Sequence, residues 1–217
     1  PIGALTSLKY WLVAGEIHPV HPAALVIFMA ILLMSLLTKK SFCSWLCPVG
    51  TLSEVVYKLG RKVFGHNFRI WLWLDLLLRG SKYLLLLLFL VFILIGMSGE
   101  KVIKFLDAPY WAVSDVKMLH FFTKMSGTTM VVLAILTFLS LFYKMFWCRY
   151  LCPYGALLGL ISAVSPFKIR RDATGCTGCQ RCSAACPSGL AVHSTRSVSS
   201  PECTGCLTCV ANCPERN

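Results

Sequence analysis

Twelve cysteines in 217 residues are the side chains of this sequence best suited to chemistry, and eight of them fall in the last 42 residues. They form two copies of one run. Cys176-Thr-Gly-Cys179-Gln-Arg-Cys182-Ser-Ala-Ala-Cys186-Pro187 is followed by Cys203-Thr-Gly-Cys206-Leu-Thr-Cys209-Val-Ala-Asn-Cys213-Pro214, each a C-x2-C-x2-C-x3-C-P. Three thiolates spaced in this way can curl round one face of an iron–sulfur cubane and bind three irons, while the fourth points toward a neighbouring cluster. Two runs therefore imply two [4Fe–4S] clusters with exchanged fourth ligands. The first takes Cys176, Cys179, Cys182 and Cys213; the second takes Cys203, Cys206, Cys209 and Cys186. Structural zinc prefers paired C-x-x-C units and has no use for the third cysteine or the x3-C-P. Pro187 and Pro214 withhold a backbone donor after each fourth ligand. Pro187 to Glu202 is the whole connection between the runs, room for a small hairpin in each half but not for burying a large substrate. His193 and Arg196 in that connection read as solvated loop residues near an anionic cluster.

The other four cysteines also come in two copies. Phe42-Cys43-Ser-Trp-Leu-Cys47-Pro48-Val-Gly50-Thr-Leu52 and Trp147-Cys148-Arg-Tyr-Leu-Cys152-Pro153-Tyr-Gly155-Ala-Leu157 stand 105 residues apart and share both cysteines, the inner leucine, the proline, the glycine and the last leucine. This is an internal repeat. Cysteines at i and i+4 lie on one helical face, and the proline suits the first turn of a following helix. Each copy closes an apolar run, so the repeat brings four thiols to one level. Three roles stay open for Cys43, Cys47, Cys148 and Cys152: joint ligands of a third cluster, redox-active dithiols near a quinone, or helix-end packing. Lys39, Lys40, Lys144 and Arg149 beside them are expected to favour the thiolate form.

The elements that position these motifs are apolar. Hydrophobic residues make up 57% of the chain and charged ones 14%, which excludes an ordinary soluble globule. Uncharged runs of about 20 residues can cross a hydrocarbon core. Three segments qualify, at about 19–38, 83–99 and 125–143, and residues 1–15 read as a truncated fourth span or an interfacial helix. Residues 51–64 and 70–78 read as interfacial helices. The 21 Lys and Arg outnumber the 9 Asp and Glu, and the basic residues gather between the first two spans (Lys39, Lys40, Lys58, Arg61, Lys62, Arg69, Arg79, Lys82) and after the third (Lys144, Arg149, Lys168, Arg170, Arg171). The positive-inside rule puts those sides, both C-x3-C-P motifs and the cysteine-rich tail in the cytoplasm. There cysteines favour metal over disulfide. The excess charge is thereby accounted for without nucleic acid. The connection after the second span, with Tyr110 and Trp111, faces outward. The fold class expected is all-α membrane helices over residues 1–171, carrying the repeat, then a small α+β domain over 172–217. The start at Pro1 and the stop at Asn217, just past a cysteine motif, suggest that both ends continue.

Weaker features remain. His18-Pro-Val-His21-Pro at the outer mouth of the first span is a tentative quinone or haem site, broken by Pro19. Asp75 in an apolar run reads as facing interfacial water, with a proton-relay role as the alternative. Ser126-Gly-Thr-Thr129 reads as a glycine helix entry, and also resembles the S-G-A-T stretch that carries covalent flavin in some membrane complexes.

Residues 172–214 resemble bacterial two-cluster ferredoxins. Two C-x3-C-P motifs joined to such a tail resemble the membrane polyferredoxin family from about Pro19 to Pro214. That family includes NapH-type subunits of periplasmic nitrate reduction, the C-terminal half of NosR, and the MauN and CcoG proteins. The resemblance implies an inner-membrane, multi-pass electron-transfer subunit. It would pass single electrons between the quinone pool or a cytosolic donor and a partner redox protein, within a larger complex holding a haem or molybdenum protein. It implies no substrate-transforming site on this chain. An alternative is a maturation factor that reduces a metal during assembly of an oxidase or reductase.

Overall fold

A computed structural model describes residues 2–19, 22–64, 71–109 and 113–215. His21, Arg69, Tyr110 and Trp111 lie outside the described residues. The described residues are mostly helical, with one two-stranded sheet among them, and the chain divides into two compact units: Pro1–Ile31 with Leu84–Ile135, and Leu32–Tyr83 with Leu136–Asn217.

The first unit contains α1 (Ile2–Ala14), the first part of α2 (Pro22–Thr38), and most of α5 (Leu72–Val91), which runs on as a π-helical turn (Phe92–Gly96). It also holds α6 (Gly99–Leu106), α7 (Ser114–Thr123) and the start of α8 (Gly127–Phe142). The π turn widens the backbone and leaves carbonyls without their usual partners. The Lys9 ammonium supplies donors to them, 2.9 Å from the carbonyls of Ile93 and Leu94 and closing also on that of Met97. His18 is buried; its Nε2 lies 3.2 Å from the Asp107 carboxylate, and Tyr10 meets its ring edge-on. Ser126 opens α8 as an ordinary cap, its hydroxyl accepting from the Thr129 N–H at 3.3 Å, which satisfies one of the free donors of a helix start.

The helix Trp73–Gly96, 24 residues, is long and apolar enough to cross a membrane; Pro22–Thr38 and Gly127–Phe142 are apolar and shorter. The second of these runs begins earlier than the sequence suggests. Residues 72–78 are not a separate interfacial helix but the first turns of α5. Three charges would ordinarily end an apolar helix here, yet each is met. Asp75 is buried rather than turned to water. It pairs with Arg79 at 2.6 Å and Arg149 at 2.9 Å, and the Tyr150 hydroxyl donates to it. Lys82 is met by Glu202.

The second unit holds both copies of the C-x3-C-P motif and the tail. α3 (Ser41–Trp45) carries the first copy and α4 (Pro48–Phe64) follows it; a π-helical turn (Trp147–Leu151) carries the second, and α9 (Pro153–Ala163) follows. The tail consists of β1 (Ile169–Arg170), α10 (Arg181–Ala185), β2 (Ser197–Val198) and α11 (Thr208–Ala211). β1 and β2 pair antiparallel, Ile169 opposite Val198 and Arg170 opposite Ser197. Its small core is built from Val192, Val198, Cys186, Cys203 and Cys209, with Ile169, Leu190 and Cys182 packed against them. Half of that core is cysteine.

Candidate iron–sulfur sites

In the tail, the two cysteine runs adopt the same backbone. Gly178 and Gln180 have φ of 69° and 58°, and Gly205 and Leu207 have 63° and 57°. Left-handed backbone costs a residue with a Cβ about 1–2 kcal/mol, so finding it at matching places in both runs marks a shape that function demands. Each loop then enters a short helix, α10 or α11, that carries the third cysteine of its run.

Two cavities result. One, of about 680 Å³ and open to solvent, is lined by Cys176, Cys179, Cys182 and Cys213, with Cys209 at its wall. The other, of about 320 Å³, is lined by Cys186, Cys203, Cys206 and Cys209. Cys209 lines both cavities, and the fourth cysteine of each run, Cys186 or Cys213, lies at the cavity of the other run. The thiols ring these cavities instead of closing on a point: among the described residues no three His, Cys, Asp or Glu are grouped to hold one ion. A cubane presents its irons outward at several corners, so ringed thiols suit it. Cys176 is exposed, and its thiol is pulled down by the Gly178 N–H and by the Arg171 guanidinium, 3.4 Å from Sγ. Cys186 is buried, and burial pushes its thiol up against N–H donors from Leu190 and Ser188. His193 has a structural post: its Nδ1 and backbone N–H both meet the Ser183 hydroxyl at 2.9 Å.

The two C-x3-C-P copies also share a geometry. The Cys47 N–H donates to the Phe42 carbonyl at 2.9 Å and the Cys152 N–H to the Trp147 carbonyl at 3.0 Å, a five-residue π closure in each. Pro48 and Pro153 then open α4 and α9, where a missing N–H costs nothing. Two helix starts, which favour anions, thus follow directly on Cys47 and Cys152. The Cys152 sulfur accepts from the Gly155 N–H at 3.3 Å. Cys148 feels Cys152, Cys43 and Cys47, and Cys43 feels Cys152 and Cys47.

For Cys43 and Cys148 the expected ionisation is reversed. Burial pushes Cys43 up to about 11 and Cys148 up to about 12, with Lys40 alone among the four expected cations opposing it in both. The other three are engaged elsewhere. Lys39 donates to the Ser162 carbonyl at 3.0 Å, Lys144 to those of Ala184 at 2.9 Å and Cys186 at 3.1 Å, and Arg149 pairs with Asp75. A coordinated metal overrides such a shift by taking the thiol as thiolate outright.

Sequence reading missed Glu202. It sits one residue before Cys203, buried, with Lys82 at 2.6 and 2.7 Å, Tyr83 at 3.1 Å and Lys40 at 3.5 Å. Burial raises its carboxyl, but Lys40, Lys82 and the Tyr83 hydroxyl together bring it below the ordinary carboxylate range. The only signal was an acid placed beside a ligand motif in a chain poor in acids.

Comparison with known proteins agrees with this geometry. A family model described as a 4Fe-4S binding domain matches residues 20–67 and again 125–172, one match for each repeat. A 4Fe-4S dicluster domain matches 168–214. The protein YccM of Escherichia coli, named for electron transport, is 50% identical over 93% of this chain and 56% of its own length. The ferredoxin-type protein NapH of Haemophilus influenzae is 30% identical over 79% of this chain and 54% of its own. The regulatory protein NosR of Pseudomonas aeruginosa is 30% identical over 74% of this chain and 22% of its own.

The chain belongs to the membrane polyferredoxin-like family.

It spans a little over half the length of YccM and of NapH. No solved structure matches it. Matches to 4Fe-4S binding models thus cover both copies of the repeat and the tail.

Proposed function

We propose that this chain is a membrane-bound electron-transfer subunit that passes single electrons between the quinone pool, or a cytosolic donor, and a partner redox protein. The observation that carries the reading is the pair of cavities ringed by cysteines of both runs, in the same compact unit as the two C-x3-C-P copies. The likeness to relatives named for electron transport and as ferredoxin-type proteins supports it. Bound [4Fe–4S] clusters supply reversible one-electron chemistry.

The residues supply everything else. Cys176, Cys179, Cys182 and Cys213 hold one cluster, and Cys203, Cys206, Cys209 and Cys186 a second. Cys43, Cys47, Cys148 and Cys152 hold a third, since Lys40 and the starts of α4 and α9 favour anionic charge there. The division at residue 171 separates the anchoring repeat from the dicluster tail. α2, α5 and α8 turn large apolar side chains outward along their lengths, among them Val26, Ile27, Leu84, Leu87, Ile95, Val131 and Phe138; lipid covers them, and the basic residues between and after these helices keep the tail in the cytoplasm. A second redox protein, carrying haem or molybdenum, completes the path. His18, paired with Asp107 and Tyr10, is the polar group best placed to meet a quinone at the outer end.

Quinol added to the anaerobic protein in nanodiscs tests the quinone link. Reduced-cluster EPR signals growing with quinol are expected. Signals that appear with dithionite but never with quinol would leave only the cytosolic donor.

A further inference from the structure

The three cysteine sites are not equivalent in their surroundings, and the difference assigns an order to them. Among the described residues, the contacts that reach the tail from both repeat copies gather on the loops carrying Cys186 and Cys203–Cys206; Lys144 also bonds the Ala184 carbonyl, in α10 between Cys182 and Cys186. From the first repeat copy, the loop of Cys203 and Cys206 lies so close that a Cβ on Gly205 would stand 2.9 Å from the Thr38 carbonyl. The Trp45 Nε1 donates to the Gly205 carbonyl at 3.5 Å. Lys39 is buried, its Cβ 3.6 Å from the Cβ position of Gly205. Pro201 packs on α9, its carbonyl 3.0 Å from where a Cβ of Gly159 would stand.

From the second copy, Lys144 donates to the Cys186 carbonyl at 3.1 Å. Arg149 lies 2.8 Å from the Cβ position of Gly189. Lys39 and Lys144 are equivalent residues of the repeat; Lys144 bonds the carbonyl of Cys186, and Lys39 packs beside Gly205, between Cys203 and Cys206. Cys186, Cys203 and Cys209 are buried, whereas Cys176 and Cys179 on the other cavity are exposed.

Resting on the reading above, we infer that the site of Cys186, Cys203, Cys206 and Cys209 is the proximal relay to the four membrane-level cysteines, and the site of Cys176, Cys179, Cys182 and Cys213 is the terminal one, open to the partner. Glu202 is the positioning residue of this junction. Its carboxylate joins Lys82, Tyr83 and Lys40, and Lys40 also donates to the carbonyl of Gly155, three residues after Cys152, at 3.5 Å. One carboxylate thereby fixes the Cys203 loop against the repeat. In each transfer one electron leaves one site as the next gains it, supplied by the quinol or soluble reductant and taken by the redox partner; no bond is made or broken.

EPR on the full-length protein in nanodiscs, reduced with dithionite, tests the order without altering a ligand. Neighbouring reduced clusters split each other's spectra, and a water-soluble paramagnetic relaxing agent broadens the exposed ones. The tail cluster most strongly split by the four-cysteine cluster is expected to be the one protected from the agent. C179S, which removes a terminal ligand, is expected to keep the splitting of the four-cysteine signal, and C206S to abolish it. E202Q is expected to retain full iron while that splitting falls at least twofold. Splitting by the exposed cluster, or splitting that survives C206S and is lost in C179S, would overturn the order. Full splitting in E202Q would overturn the role of Glu202. Iron confined to the tail, with no third signal at all, would instead overturn the reading of the four membrane-level cysteines, and the order with it.

Discussion

Leu207 and Gln180 hold left-handed backbone in their cysteine loops, a conformation that glycine adopts freely and a leucine only at a cost of about 1–2 kcal/mol. Replacing Leu207 by Gly removes that strain and adds about 0.5–1 kcal/mol of unfolded-state freedom. The balance favours the variant by about 0.5 kcal/mol, to be read as a raised midpoint in thermal unfolding of the tail; a lowered midpoint would show that the Leu207 side chain contributes more than its strain costs. Glu202 is the opposite case. Lys82 is fully buried, and removing one member of a buried ion pair costs about 3–5 kcal/mol because the remaining charge is left unpaired. E202A is therefore expected to lower unfolding stability by that order, and K82M by less, since Lys40 and Tyr83 still meet the carboxylate. Equal stability of E202A and wild type would contradict the burial of this cluster.

The two repeat copies share a design but not its tolerances. A Cβ on Gly50 would run into the Cys43 carbonyl, while one on Gly155 meets the Cys148 carbonyl at an ordinary 3.6 Å. G50A is expected to distort the first motif and lower iron bound at the membrane-level cysteines, while G155A should be nearly silent; iron analysis of the two purified variants checks this, and equal effects would contradict it. The repeat itself was legible from Cys43, Cys47, Cys148 and Cys152 and their prolines, and the two cysteine runs of the tail from their spacing, because spacing is a local property. The continuity of α5 was not. Asp75, Arg79 and Lys82 look like interface charges until their partners Arg149, Tyr150 and Glu202, all distant in sequence, are brought to them. Long-range pairing of this kind leaves no periodic trace. The protonation of Cys43 and Cys148 was misjudged for the same reason: which lysines point at a thiol is decided by packing, not by nearness in sequence.

At the scale of the whole molecule, α2, α5 and α8 carry exposed apolar side chains, and within the second unit Lys40, Lys82 and Lys144 tie the tail down. If the tail is cytoplasmic, a cysteine introduced at exposed Ser199 should react with impermeant maleimide in inside-out vesicles and stay silent in right-side-out ones; the reverse would invert the topology. The central claim is that all twelve cysteines hold clusters. Anaerobic iron and sulfide analysis of the detergent-purified protein tests it most directly. About 12 irons per chain, falling to about 8 in the C43S variant, are expected for three [4Fe–4S] clusters. About 8 irons in the wild type, unchanged in C43S, would mean that the repeat cysteines bind none, and the account of a path reaching the membrane would be contradicted.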